Sequence, residues 1–378
     1  MSDLLYSEVE DDLRAALRGL LADRCPPSAV LARIESDTPY DLGLWRTLAQ
    51  ELGLAGLLVP EKAGGQGASA REVAVVLEEL GAAVAPVPFL GSAVLATTAL
   101  LGAGTDAADE VVGRLAAGEA VGALAVPLPT APGAAFPEGV RADENGTLTG
   151  RVTSVADASA ADVLVVPAVG PQGPGLYEVA AGAAGVRIAV AVSLDLTRPI
   201  ADIDLDGVAA RLLAGPETAA PALDRALLTG AGLLASEQLG MAQWCLDETV
   251  RYLGERHQFG RVVGSFQALK HRLADLWLEV VSARAAARNA ADALATGAED
   301  AGIAVAVAQA YCAPVAVRAA EEAIQLHGGI GMTWEHPAHL YLKRAKADEI
   351  ALGTPGRHRA ALAGLAGLAG LAGLPAGS

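Results

Sequence analysis

The sequence predicts a mainly α-helical protein with a small β domain in its centre. Long segments towards both ends space their leucines three or four residues apart, as on one face of a helix. The middle of the chain instead has short β-branched runs separated by turn signals. Of the 378 residues, 52% are hydrophobic but only 4% are aromatic, so the core must consist of Ala, Leu and Val, which suits closely packed helices. That length suits two or three packed domains.

The N-terminal region, residues 1–117, is predicted to be helical. Leu13, Leu17 and Leu21 recur at helical spacing, and further helical segments follow at 44–52 and 72–80. The stretch 53–67 between those two segments contains several glycines and Pro60, which break a helix and predict an extended turn.

A small β domain is predicted over residues 118–221. The β-branched runs are at 122–126, 147–155, 163–166, 186–192 and 203–205. The tetrapeptide DENG at 143–146 predicts a hairpin turn, because Asn and Gly both accept the positive φ of a tight turn.

The C-terminal region, residues 222–378, is predicted to be an antiparallel helical bundle. Long Ala/Leu-rich segments occupy 230–255, 266–295, 301–326 and 337–350. The tail at 363–374 repeats Ala-Gly-Leu, and we expect it to be a loosely ordered end, because three residues cannot form a repeat unit with a core.

Charge and composition exclude several classes of function. The formal net charge of −17 makes a nucleic-acid partner unexpected, since a phosphate backbone needs a basic stripe. We expect neither a membrane-spanning segment nor a signal peptide, because apolar runs are interrupted and the N-terminus lacks a basic region. Cys25, Cys245 and Cys312 match no metal-ligand spacing, and their isolation is typical of the reducing cytoplasm.

Three short motifs in the bundle region carry a family resemblance. They read RHQFG at 256–260, SFQ at 265–267 and QLHGGIGMT at 325–333. Together they resemble the C-terminal domain of the acyl-CoA dehydrogenases, flavoenzymes that oxidise acyl thioesters. The turn at 53–67 and the pattern of the β runs are also similar to that family, so the resemblance covers nearly the whole chain. It implies the three-domain acyl-CoA dehydrogenase fold, with a C-terminal four-helix bundle.

The resemblance also implies a function. It predicts an oxidoreductase of fatty acid metabolism that uses FAD to convert an acyl thioester, on coenzyme A or a carrier protein, to the 2,3-enoyl thioester. An electron-transfer flavoprotein-like acceptor would take the electrons. The flavin site would be shared between subunits of a homo-oligomer or hetero-oligomer.

Residues that would contact the flavin, by the same resemblance, lie in these motifs and just after them. They are Arg256, Gln258, Phe259, Gln267, Gln325, His327, Gly328, Gly329 and Thr354. The guanidinium of Arg256 suits a pyrophosphate, and glycines let a backbone approach a ligand closely. The alternatives are an exposed helix-end Arg256, a core Phe259 and a glycine turn that only caps a helix. No metal site is expected, because His336 and His339 follow His327 without a Cys or paired carboxylate.

Two departures from the family concern the chemistry. Many members have a glutamate base where this chain has Leu352, and leucine cannot accept the α-proton. Others place a carboxylate on the first long helix of the bundle, where Glu237 is our candidate base and Asp224 also lies near the helix. The alternative for Glu237 is a surface residue of an amphipathic helix. Asp348 and Glu349 precede Leu352 closely, but a helical turn points them elsewhere.

The second departure is the loop that family members use to hold their own flavin ring. It usually contains an acidic-Pro and a Gly-Ser pair, whereas residues 126–133 here read VPLPTAPG. The groups that a subunit lends to its neighbour are therefore present, and those that serve its own site are degraded. This asymmetry is typical of one subunit of a hetero-oligomer.

Four hypotheses follow from the sequence. The chain is a catalytic homo-oligomer that uses Glu237 as a relocated base, or it is the non-catalytic subunit of a hetero-oligomer. It could instead be a flavin-free structural or binding protein that reuses the fold. The fourth is a flavin-dependent relative that uses oxygen and needs no α-proton base.

Overall fold

The computed structural model describes residues 4–367, so the tail repeat beyond residue 367 lies outside the described residues. Within that range, six α-helices precede a β-sheet, and five α-helices follow it. This order confirms the predicted fold class, a mainly α protein with a central β region and a C-terminal helical region.

The N-terminal helices begin at well-formed caps. Ser7 and Glu10 form a capping box at α1, and Ser69 and Glu72 form another at α4, which satisfies backbone N–H groups that a helix start leaves free. A π-helical segment, Phe89–Ala96, leads directly into α5. The helices are α1 Glu8–Arg24, α2 Pro27–Ile34, α3 Leu42–Arg46, α4 Ala70–Ala83, α5 Thr97–Ala103 and α6 Asp106–Ala116.

The β region is one sheet of eight strands with its own apolar core. Its order is β6-β7-β3-β2-β4-β5-β8, and β1 pairs with β4 in parallel. The strands are β1 Gly122–Leu124, β2 Val140–Ala142, β3 Thr147–Ala156, β4 Val163–Gly170, β5 Gly173–Ala180, β6 Val186–Val190, β7 Ile200–Ala209 and β8 Arg211–Ala214.

The predicted hairpin turn joins β2 to β3, which pair in antiparallel fashion. Only Gly146 has a positive φ there, 77°, so the expectation of a positive φ at Asn145 too was wrong. The carboxylate of Asp143 accepts the backbone N–H groups of Asn145 and Thr147, each at 2.8 Å. This Asx-type turn satisfies the backbone without a left-handed Asn145.

The C-terminal region is dominated by three long helices. The helices are α7 Ala219–Glu255, α8 Gln267–Thr296, α9 Ala301–His327, α10 Ala338–Ile350 and α11 Pro355–Leu365. A short hairpin joins α7 to α8, and its strands are β9 His257–Gln258 and β10 Arg261–Val262. Among the described residues, one helical stretch, Ala301–Met332, is long and apolar enough to cross a membrane, contrary to expectation. Its most apolar window is 67% buried within the protein, as in the core helix of a bundle.

Helix α7 is held against α4 by two glycines. A methyl group at Gly81 of α4 would overlap the backbone carbonyl of Glu237, and one at Gly240 of α7 would overlap that of Glu78. The two helices therefore cross at backbone contact, which fixes the position of the α7 residues described next.

Candidate functional site

Leu352, at the position expected for a base, is sealed inside the protein. It lies between α10 and α11, is 0% exposed and has a φ of 53°, which is unusual for a leucine. Its backbone N–H donates to the carbonyl oxygen of Leu128 at 2.7 Å. Neither the side chain nor the backbone N–H of Leu352 is available to a ligand.

The loop at 126–133 reaches across from the sheet to this position. The N–H of Leu128 donates to the carbonyl of Ser154 on β3 at 2.9 Å, and the N–H of Gly133 donates to Asp224 Oδ1 at 2.6 Å. Leu128 and Ala131 are buried. The loop thus joins β3 directly to Leu352 through two backbone hydrogen bonds. It contains neither the acidic residue nor the Gly-Ser pair with which family members hold their own flavin ring.

Helix α7 also offers no carboxylate opposite Leu352. The position that faces it is Gly230, since a methyl group built there would lie 3.1 Å from Leu352 Cδ1. Asp224 and Glu237 are six and seven residues from Gly230 along the helix, or about 9 Å and about 10.5 Å at 1.5 Å per residue. The two acids that the sequence offered as alternatives are therefore remote from the base position.

Glu237 lies instead at the centre of a buried charge cluster. We call Asp195, Arg198, Glu237, Arg344 and Asp348 the interdomain charge cluster, because they come from the segment before β7, from α7 and from α10. Glu237 Oε2 accepts from Arg198 Nη2 at 2.5 Å, and Oε1 accepts from Arg344 Nη1 at 2.6 Å.

The outer acids of the cluster complete it. Arg344 Nε donates to Asp195 Oδ2, and Arg198 Nη1 donates to Asp348 Oδ1, both at 2.7 Å. All five side chains are buried. Nearby, the Gln238 side chain donates to the Asp348 carbonyl at 3.3 Å.

The cluster holds its charges unequally. Burial alone would raise the pKa of Glu237, but the charges of Arg198 and Arg344 and their hydrogen bonds outweigh it, so this pKa is lowered. Burial raises the pKa of Asp348 well above its ordinary value, and the charge of Glu237 adds to the effect. Two guanidinium groups therefore face three carboxyl groups, of which Asp348 holds a proton more readily than Glu237.

This geometry argues against Glu237 as a general base. A base must accept a proton readily, whereas both Glu237 oxygens are engaged and the pKa of the carboxyl is lowered. Glu237 is 2% exposed, so it is not the surface residue of the alternative either. Asp348, also considered near Leu352, belongs to the same cluster, while Glu349 lies 3.5 Å from Lys346 Nζ.

Most of the residues predicted to contact the flavin lie at the surface. Arg256, Gln258, Phe259 and Gln267 are all exposed, and Phe259 is 90% exposed on the tip of the β9–β10 hairpin. The alternative of a core phenylalanine is therefore excluded. Gln325, Gly328, Gly329 and Thr354 are exposed as well. Thr354 caps α11, since its hydroxyl oxygen accepts the N–H of Arg357 at 3.3 Å.

His327 differs from the other predicted contact residues because its side chain points inward. It is 3% exposed and stacks on the ring of Tyr252, with 4.4 Å between ring centroids. The sequence showed no carboxylate beside the histidines, but the fold brings Glu248 of α7 to His327 and His336. That proximity could not be read from spacing, because 79 residues separate Glu248 from His327.

Family comparisons agree with the architecture. Residues 7–119 match the family described as acyl-CoA dehydrogenase, N-terminal domain, and residues 221–364 match acyl-CoA dehydrogenase, C-terminal domain. The fold and these matches define the class, and the chain belongs to the acyl-CoA dehydrogenase family.

Individual relatives are similar over almost the whole chain. Acyl-CoA dehydrogenase IpdE2 of Mycobacterium tuberculosis is 37% identical over 91% of this chain and 92% of its own length. IpdE2 of Mycolicibacterium smegmatis is 35% identical over 92% of this chain and 96% of its own length.

Two solved structures are also similar. A chain of the Tcur3481-Tcur3483 steroid acyl-CoA dehydrogenase has a TM-score of 0.84 at 31% identity, covering 96% of this chain and 99% of that one. A chain of the ChsE4-ChsE5 complex of M. tuberculosis has a TM-score of 0.84 at 30% identity, and the match covers 99% of this chain and 100% of that one.

Proposed function

We propose that this chain is the non-catalytic subunit of a heteromeric acyl-CoA dehydrogenase and that it completes the flavin site of an unlike, catalytic partner. The observation that carries the proposal is the buried leucine at the base position, Leu352, whose backbone N–H is already held by the carbonyl oxygen of Leu128 at 2.7 Å. Proton abstraction at that position has no carboxylate to accept the proton, and the leucine in its place is fully buried.

The exposed motifs support the lending role. The Arg256 guanidinium and the 325–329 turn are at the surface, where a neighbouring subunit's dinucleotide can reach them. Phe259 at 90% and Met332 at 83% exposure are large apolar side chains beside these groups in sequence. Exposed apolar residues of this size are typical of a surface that a partner covers.

The similar structures point to an unlike partner. Both are named for two different chains, Tcur3481 with Tcur3483 and ChsE4 with ChsE5. In the assembly proposed here, FAD lies mainly in the partner subunit and supplies the hydride acceptor for 2,3-dehydrogenation of an acyl thioester. Because the Tcur3481-Tcur3483 protein is a steroid acyl-CoA dehydrogenase, a steroid-derived thioester is the first substrate class to test.

A catalytic homo-oligomer is the weaker candidate, since Glu237 is held in the interdomain charge cluster. A flavin-free structural protein is compatible with the closed loop at 126–133, but it leaves the exposed Arg256 without a role.

The test uses co-expression of this chain with an unlike acyl-CoA dehydrogenase chain encoded beside it. We expect a complex with one flavin per pair of chains and little flavin on this chain alone. Arg256→Ala should weaken flavin retention by about 10–100-fold, because a charge-assisted contact contributes about 1.5–3 kcal/mol. The matched control is Arg225→Ala, an exposed arginine on α7, the helix that Arg256 follows, and this variant should retain flavin normally.

The outcome that contradicts the proposal is a homotetramer of this chain alone with one flavin per chain and full dehydrogenase activity. A complex that binds no flavin would favour the structural role instead.

A further inference from the structure

A cluster of three potential metal ligands lies under the segment that follows α9. Glu248 comes from the last turns of α7, His327 ends α9, and His336 precedes α10. One ligand atom from each residue lies within 4.8 Å of those of the other two. Because the three come from separate elements, the cluster is a product of the fold.

His327 is poised as an acceptor. Its Nδ1 lies 2.6 Å from the carbonyl oxygen of Ala323, and a carbonyl can only accept, so Nδ1 carries the proton. The lone pair is then on Nε2, which is buried and has no hydrogen-bond partner among the described residues. A buried polar atom without a partner costs free energy, and such atoms are rare in folded proteins.

The contacts around His327 are those that hold a metal-binding histidine in place. In such sites the ring nitrogen that does not bind the metal donates to a carbonyl or carboxylate, which fixes the tautomer and the ring orientation. The bond from His327 to Ala323 does this, and the stacked ring of Tyr252 holds the imidazole plane.

We propose that Glu248, His327 and His336 form a binding site for a divalent transition-metal ion of the Zn²⁺ class. Two imidazoles and one carboxylate are a common ligand set for Zn²⁺ and leave a fourth position for water. Ligands about 2.1 Å from a tetrahedral ion lie about 3.4 Å from one another. Since the three ligand atoms lie within 4.8 Å of one another, the cluster needs a contraction of about 1.4 Å at most. His336 and Glu248 are only half-buried and can supply that movement.

Two contacts oppose binding and set its strength. Arg251 donates to both oxygens of Glu248, at 2.8 and 2.5 Å, so its charge competes with the ion, although a carboxylate keeps further lone pairs. The Ala338 N–H donates to His336 Nδ1 at 3.3 Å. Coordination through His336 Nε2 places a proton on Nδ1 and breaks this long bond.

The ion would tie the segment after α9 to α7. That segment carries Ile330 and Met332 at the surface, so the site would order a surface that the proposed function assigns to a partner. The site itself does not depend on that function and is testable on the full chain alone.

The test is titration of the chelator-treated full chain with Zn²⁺ by calorimetry and with Co²⁺ by visible absorption. We expect one ion per chain and the intense visible bands of a tetrahedral Co²⁺ site. The described cysteines are all buried, so thiol coordination should not interfere. His336→Asn and Glu248→Gln should each weaken binding by at least about tenfold.

The matched control is His339→Asn, since this neighbouring histidine contacts the Trp334 carbonyl instead of the cluster and should leave affinity unchanged. Arg251→Gln should tighten binding, because it removes the competing charge. Melting temperatures without metal check that each variant folds. No binding by the wild type, or equal affinity in the wild type, His336→Asn and Glu248→Gln, would overturn the proposal.

Discussion

Glu237→Gln removes one negative charge from the middle of the interdomain charge cluster while keeping the shape of the side chain. In the wild type, each oxygen of Glu237 accepts from a different buried arginine, Arg198 at 2.5 Å and Arg344 at 2.6 Å. A glutamine offers one acceptor and turns its NH₂ group towards the other guanidinium. The variant therefore leaves one arginine facing a donor inside the protein.

The expected loss of stability is large. Removing one partner of a buried ion pair costs about 3–5 kcal/mol, because the remaining charge is desolvated without compensation. Asp348 can offset part of this cost, since the charge of Glu237 helps to raise its pKa. Without Glu237, Asp348 ionises more easily and restores a negative charge beside Arg198. The cost should thus be largest near pH 5.5 and smaller near pH 8.5.

The lowered pKa of Glu237 sets the lowest pH at which the two proteins should be compared. Its folded-state pKa is lowered, so its contribution is present above the ordinary glutamate value of about 4.3 and is lost only as the pH falls further. Measurements above pH 5 therefore compare a fully ionised Glu237 with the neutral variant.

The assay is urea unfolding of both proteins at fixed chain concentration, followed by circular dichroism at pH 5.5, 7 and 8.5. The control is Glu322→Gln, which breaks the more exposed pair with Arg272 and should cost less than about 1 kcal/mol. If Glu237→Gln is no more costly than this control, the cluster does not act as described. If it also abolishes turnover of a normally folded enzyme, Glu237 is the base after all.

Two further predictions concern neighbouring features. The free energy of unfolding of Asp348→Asn, relative to that of the wild type, should rise by about 1.4 kcal/mol per pH unit from about pH 4 upward. The reason is that the folded-state pKa of Asp348 is raised, so the wild type loses stability as the pH rises towards that pKa. Parallel plots of unfolding free energy against pH for the two proteins, measured in urea, would exclude a protonated Asp348. Gly240→Ala should lower the free energy of unfolding by about 1–3 kcal/mol or more, since the added methyl group overlaps the Glu78 carbonyl. The control is Gly254→Ala on the same helix, where a methyl group meets open space and should not destabilise the protein. Equal effects of the two substitutions in thermal unfolding would count against the close α4–α7 contact.

The helices were largely predictable because apolar periodicity is a local signal. The segment predicted at 301–326 is α9 Ala301–His327, and that at 337–350 is α10 Ala338–Ile350. Strand β5, Gly173–Ala180, was missed, because its Gly-Pro-Gly start resembles a turn and only pairing with β4 makes it a strand. Sheet pairing is a tertiary effect that local propensity does not report.

The site was predictable only in part, for the same physical reason. The sequence identified Leu352 and the loop at 126–133 as departures, but their mutual hydrogen bond appears only in the fold. The partners of Glu237 could not be found from spacing, since Arg198 and Arg344 lie 39 and 107 residues away. A glutamate within an apolar helical stretch signalled that something must compensate its burial, without indicating what.

The loop at 126–133 has a consequence for the order of assembly. In a protein whose ring-binding gap must be filled by a cofactor, the last stage of folding waits for that cofactor, and the apo form is less stable by the free energy of binding. Here the chain closes the gap with its own backbone, through the bonds of Leu128 to Ser154 and Leu352. On the function proposed above, the folding of this loop would not wait for the flavin. Such a chain can finish folding first and serve as a preformed template on which a flavin-dependent partner completes its own structure.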